Sequence, residues 1–257
     1  MPYALPFERM ISDPRQFAID FLLRVPAILL GLVLHEAAHA YAAYRCGDPT
    51  ARMLGRMTLD PRKHLDLFGT IALVFVGFGW ARPVPVNPRN LKKPRRDDIL
   101  VSIAGILTNL ALFLISCAAM YLTLAFALRA YPGGMAGPIV DRIIPYPYGY
   151  ASVVEGAYGT FPMYLYEMLV NLALVNFTLA VFNLLPMPPL DGSHLFRQLF
   201  RKRGYVFESP SAARFGQIAV LALVFSGAFG KALGFLLDGT FRIMAPAAIA
   251  LARAFGL

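Results

Sequence analysis

Long apolar runs alternate with short polar connectors along this chain. Four runs are long enough to cross a hydrocarbon core, which takes about 20 helical residues: Val25–Tyr44, Ile99–Leu128, Met163–Leu185 and Phe215–Leu237. The second carries no charged residue, the third only Glu167 and the fourth only Lys231. In lipid the backbone must satisfy its own hydrogen bonds, so such runs are helical. The pattern predicts an all-α polytopic membrane protein of about four full transmembrane helices, within a single membrane-embedded domain covering 1–257.

Three stretches depart from that pattern. Ser12-Asp13-Pro14 reads as a helix start, a capping residue followed by proline in the first turn, so the first helix begins well before Val25. Leu65 to Trp80 is apolar but short for a full crossing, and Val74-Phe75-Val76 followed by Gly77-Phe78-Gly79 favours extended backbone. It is expected to be re-entrant or extended near the active site. The prolines between Trp80 and Pro88 exclude regular helix. The tail 241–257 is apolar but interrupted by Arg242, Pro246 and Arg253, and is expected to lie at the membrane interface.

Composition agrees with a lipid environment: 58% of the 257 residues are hydrophobic and 15% charged, against about a quarter charged in soluble domains. The net charge of +9 does not point to nucleic acid, because the basic residues fall in connectors, where they mark the cytoplasmic face and meet anionic headgroups. Stretch 45–97 holds eleven Lys and Arg, 187–214 five, and 129–161 two. Both basic stretches are therefore expected on the cytoplasmic side. Cys46 and Cys117 form neither a CxxC motif nor a plausible disulfide.

The chemistry begins in the first span, at Leu34-His35-Glu36-Ala37-Ala38-His39. His35 and His39 lie one helical turn apart on the same face, so both imidazoles can reach one metal ion, and Glu36 is offset towards a water held by that metal. Zinc lowers the pKa of such a water towards 7, and the carboxylate takes the proton as the water attacks a carbonyl. Ionisable residues inside a span are costly and mark function. A catalytic zinc needs a third protein ligand. Asp191 is the candidate, in Asn183-Leu184-Leu185-Pro186-Met187-Pro188-Pro189-Leu190-Asp191-Gly192. At helical rise, His35 lies ~14 Å from the basic end of its helix and Asp191 ~15 Å from Arg201-Lys202-Arg203, so the depths agree.

With HEAAHA, GWARPVPVNP and NLLPMPPLDG in that order, the chain resembles the site-2 protease family of intramembrane zinc metalloproteases (peptidase family M50). The likeness is to short bacterial and archaeal members without PDZ or CBS domains. It implies that His35, His39 and Asp191 bind one zinc per chain, that Glu36 is the general base, and that Asn183 positions the substrate or polarises its carbonyl. It also implies transmembrane proteins as substrates and the cell membrane of a prokaryote as the location. Ile106 stands where the family has a proline, so no role is carried over to Asn109. His64 and His194 are expected to be interfacial or to support the site without ligating.

Overall fold

The computed structural model describes residues 11–69, 80–131, 147–199 and 210–254. Among them the chain is helical, with no strand and one isolated antiparallel bridge, Leu65 with Ala81. Four helices are long and apolar enough to cross a membrane: α1 (Pro14–Arg45), α3 (Pro94–Ala130), α5 (Thr160–Asn183) and α8 (Ala228–Ala254). Shorter helices are α2 (Thr50–Met53), α4 (Ala151–Tyr158), α6 (Asp191–Leu199) and α7 (Pro210–Phe225). The protein is an all-α, multi-pass membrane protein.

Asp13 caps α1: its Oδ1 accepts from Gln16 N at 3.0 Å, with Pro14 opening the helix. Pro26 lies inside α1, which continues through it. After α1, Asp48 organises the connector. Its buried carboxylate accepts from Thr50 N at 3.1 Å, Thr50 Oγ1 at 2.5 Å, Asn87 N at 2.7 Å and Asn90 Nδ2 at 2.9 Å. These bonds tie the end of α1 to the stretch before α3. Burial works to raise the Asp48 pKa, but the hydrogen bonds outweigh it and hold the carboxyl below the usual carboxylate range.

Most of Leu65–Trp80, including Gly77 and Gly79, lies outside the described residues. Its flanks are described: Leu65 bridges Ala81, and Arg82 N donates to His64 O at 2.7 Å.

The fourth span departs from expectation. Phe215–Leu237 is not one helix. α7 ends at Phe225, Gly227 takes φ +73°, and α8 begins at Ala228. That left-handed conformation is open to glycine at little cost, and the length of the apolar run outweighed the Ser226-Gly227 pair that marks the break. The tail 241–257 is helical as far as Ala254. Phe241, Ala245, Ala248 and Ala252, three or four residues apart, form a buried face, while Arg242, Pro246 and Arg253 are exposed on other faces.

The chain forms two compact units whose boundaries fall within α3, α5 and α7. Unit 1 comprises Met1–Leu110 and Leu179–Leu221; unit 2 comprises Ala111–Thr178 and Ala222–Leu257. Unit 2 has an apolar, aromatic core. Phe113 meets Phe177 and Phe241 at ring separations of 5.0 and 6.2 Å, and Tyr166 Oη donates to Pro147 O at 2.5 Å. Unit 1 carries most of the buried polar groups.

In unit 1 the start of α3 meets α6. Asp98, at the start of α3, accepts from Gln198 Nε2 at 2.7 Å and Arg197 Nη2 at 3.3 Å, both on α6. This contact fixes α6, whose first residue is Asp191, against the start of α3.

Candidate metal centre

One turn of α1 presents His35 and His39, both buried, with rings 4.6 Å apart and nearly perpendicular. The third group arrives from the start of α6. Met187 O accepts from Leu190 N at 2.9 Å, and Leu190 O accepts from Ser193 N at 3.0 Å and Ser193 Oγ at 2.7 Å. This turn and helix start carry Asp191 to the histidines. His35 Nε2 and His39 Nε2 are 3.0 Å apart, and each is 3.2 Å from Asp191 Oδ2.

That triangle fits a metal. Ligands about 2.0–2.1 Å from a tetrahedral zinc stand about 3.3 Å from one another. The three separations found are those of one tetrahedral face, slightly contracted.

The outer nitrogens sharpen the fit. His35 Nδ1 is 2.6 Å from Asn109 Oδ1, and His39 Nδ1 is 2.8 Å from the Val101 carbonyl oxygen. Both partners are acceptors, so each Nδ1 carries a proton towards its partner, and a neutral ring then keeps its lone pair on Nε2. Two bare nitrogens and a carboxylate oxygen then converge within hydrogen-bond distance, an arrangement that asks for a cation. Among the described residues, His35, His39 and Asp191 form the cluster of three potential metal-ligating side chains.

Glu36 is buried beside the pair, its Oε2 accepting from Val84 N at 2.9 Å. The peptide that donates this bond is itself fixed. Arg56, buried in the connector after α1, donates Nη2 to Arg82 O at 2.7 Å and Pro83 O at 3.2 Å. Burial and the charge of Arg82 push the Arg56 pKa down, against an opposing pull from Glu36. The proline-rich segment thus acts as a strap that holds the Glu36 carboxylate.

The other residues singled out in the sequence lie differently. Asn183 ends α5 and donates Nδ2 to Leu179 O at 3.1 Å, within its own helix. His64 is fully buried, with Nε2 2.8 Å from Thr58 O. His194 is exposed, with Nδ1 2.9 Å from Arg197 Nη2 and 3.7 Å from Asp98. Sequence reasoning gave no part to Asn109, Arg56 or Val84. The available signal was an asparagine in a charge-free span, four residues from Gly105 and eight from Val101.

The family model of peptidase family M50 matches residues 24–227. The chain belongs to peptidase family M50. The matched region contains the histidine pair, Glu36 and Asp191. YwhC of Bacillus subtilis, named as a candidate zinc metalloprotease, is 38% identical over 199 residues, covering 77% of this chain and 78% of YwhC. Rip2 of Mycobacterium tuberculosis, named in the same way, is 30% identical over 186 residues, covering 70% of this chain and 58% of Rip2. Zinc metalloprotease MJ0392 of Methanocaldococcus jannaschii is 33% identical over 94 residues, 36% of this chain and 26% of the archaeal protein. The chain therefore spans a little over half of Rip2 and about a quarter of MJ0392. No solved structure matches it significantly.

Proposed function

We propose that this M50 peptidase is a zinc-dependent intramembrane endopeptidase that hydrolyses peptide bonds in or near the transmembrane segments of other membrane proteins. The carrying observation is the convergence, at tetrahedral-edge spacing, of the Asp191 carboxylate oxygen on two imidazole nitrogens of a helix long and apolar enough to cross the membrane. His35, His39 and Asp191 would hold the zinc, one per chain. When bound, zinc supplies Lewis acidity to a water and to the scissile carbonyl.

The chain's own residues supply the rest. Glu36 is the base: its carboxylate takes a proton from the attacking water and returns it to the departing amine. Only one of its oxygens has a partner in the Val84 N–H, so Oε1 is the atom available for that transfer. Arg56, by pinning Arg82 and Pro83, keeps the Val84 peptide in place and Glu36 in one orientation. Asn183, at the end of α5, is assigned to substrate positioning, which requires its amide to turn from Leu179 O. A transmembrane helix hides its carbonyls in hydrogen bonds, so the substrate must unwind locally before attack. The natural setting proposed is the cell membrane of a prokaryote.

The test compares metal content and cleavage of a transmembrane reporter in wild type and Glu36→Gln. A protease retains zinc in the variant and loses cleavage. No cleavage by either protein would identify a silent relative that binds membrane helices, and metal movement across vesicles would identify a transporter.

A further inference from the structure

Building on the zinc site proposed above, we propose that one face of α3, formed by Val101, Gly105 and Asn109, is the template that sets the two histidines for metal, and that Asn109 is the positioning residue for His35. These residues recur every four positions, so they lie in a row along one side of the helix. The Val101 carbonyl oxygen accepts a hydrogen bond from His39 Nδ1, and the Asn109 side-chain oxygen accepts one from His35 Nδ1.

Gly105, between them, is where the rings lie. A Cβ there would stand 2.5 Å from His35 Cε1, 2.5 Å from His39 Nε2 and 2.7 Å from His35 Nδ1. No side chain fits without displacing both imidazoles. The missing side chain has a second effect. A helical residue covers the turn N-terminal to its own Cα, so glycine at 105 leaves the Val101 carbonyl open to His39.

Asparagine suits position 109 for a reason that aspartate and leucine do not share. Its Nδ2 donates to Gly31 O at 3.2 Å, on the helix that carries the histidines. Reversing the amide would set its oxygen against that carbonyl, so the donor end is fixed and Oδ1 must face His35. A neutral imidazole carries its one proton on either nitrogen. An acceptor locked at Nδ1 selects the tautomer whose Nε2 lone pair faces Asp191 and His39.

The experiment uses full-length protein labelled with ¹⁵N at histidine, first metal-free and then in competition for zinc against a chelator of known affinity. Variants are Asn109→Leu, Asn109→Asp and Gly105→Ala, with His35→Ala as reference for the zinc site itself. Metal-free wild type should show His35 protonated at Nδ1 and bare at Nε2, identified as the signal lost in His35→Ala. Asn109→Leu should weaken zinc binding by about 10- to 100-fold and admit the other tautomer. Asn109→Asp keeps an acceptor and should retain more affinity than Asn109→Leu, while Gly105→Ala should weaken binding at least as much as Asn109→Leu. Wild-type affinity in Asn109→Leu, or equal losses in Asn109→Leu and Asn109→Asp, would overturn the proposal. So would a neutral wild-type His35 protonated at Nε2 alone, a reading that needs no folded position-109 variant. Full zinc binding by His35→Ala would instead overturn the zinc site, whatever happens at Asn109.

Discussion

Units 1 and 2 both belong to a membrane protein, yet they bury different things. Among the described residues of unit 2, the buried polar side chains apart from tyrosines are Ser116 and Asn176, each bonded to a carbonyl one turn back in its own helix. Unit 1 buries His35, Glu36, His39, Arg56, Asp98 and Asn109, among others, and their hydrogen bonds join segments far apart in sequence. In lipid, apolar side chains gain little over tails that are equally apolar, so unit 2 is held by packing. A buried polar group costs free energy unless satisfied, and a satisfied network fixes geometry. Unit 1 has the arrangement of a site and unit 2 that of a scaffold.

The largest effects should come from the three converging atoms and their neighbour. His35→Ala, or Asp191→Asn, which leaves a poorer amide oxygen, should remove most bound zinc and abolish cleavage, as read by metal analysis and a reporter gel. Glu36→Gln should abolish cleavage with zinc retained, and Asp238→Asn should leave both nearly intact. Zinc retained in full by the His35 and Asp191 variants would remove the distinction between the units.

In unit 2, Phe241→Ala opens a cavity among Phe113, Tyr121 and Phe241. It should cost on the order of 3 kcal/mol in a detergent or urea unfolding assay, with zinc stoichiometry unchanged in the folded fraction. Loss of zinc from folded protein would show that unit 2 does more than support.

A smaller effect belongs to Asp98. Its removal deprives Arg197 and Gln198 of their acceptor and loosens α6 without touching Asp191 itself. Asp98→Ala should weaken zinc binding less than Asp191→Asn does, and should cost about 1–3 kcal/mol of stability through the donors left behind.

The smallest is a pH effect at Asp48, outside the spans. Its pKa is lowered in the folded state, so it contributes stability above the ordinary carboxylate pKa and loses it as pH falls through the lower, folded value. Asp48→Asn should therefore be less stable than wild type near neutrality. The gap should narrow on acidification, as followed by thermal melts at a series of pH values.

Much of this was legible in the chain. The four-residue spacing of His35 and His39 needs only a helix to place both rings on one face, and the length of the apolar runs makes that helix. Other features were hidden. Gly227 breaks a run that by length alone would make one spanning helix, and Phe241 to Ala252 become a core face although charges and a proline interrupt them. Asn109 carried no expected role because Ile106 departs from the family pattern, and hydropathy cannot show which side chain faces a histidine.

By itself, then, the sequence determined the solvent, the helical spans and the local geometry of the histidine pair, because hydrophobic length and helical period act between near neighbours. Asp191 was expected there from depth and family resemblance, and tertiary structure set its distance from His39, 3.2 Å across 152 residues. Tertiary structure alone decided that Asn109 and Val101 orient the rings and that Arg56 braces the strap holding Glu36. Each of these contacts joins segments whose approach depends on how helices and connectors pack, and no local period encodes that.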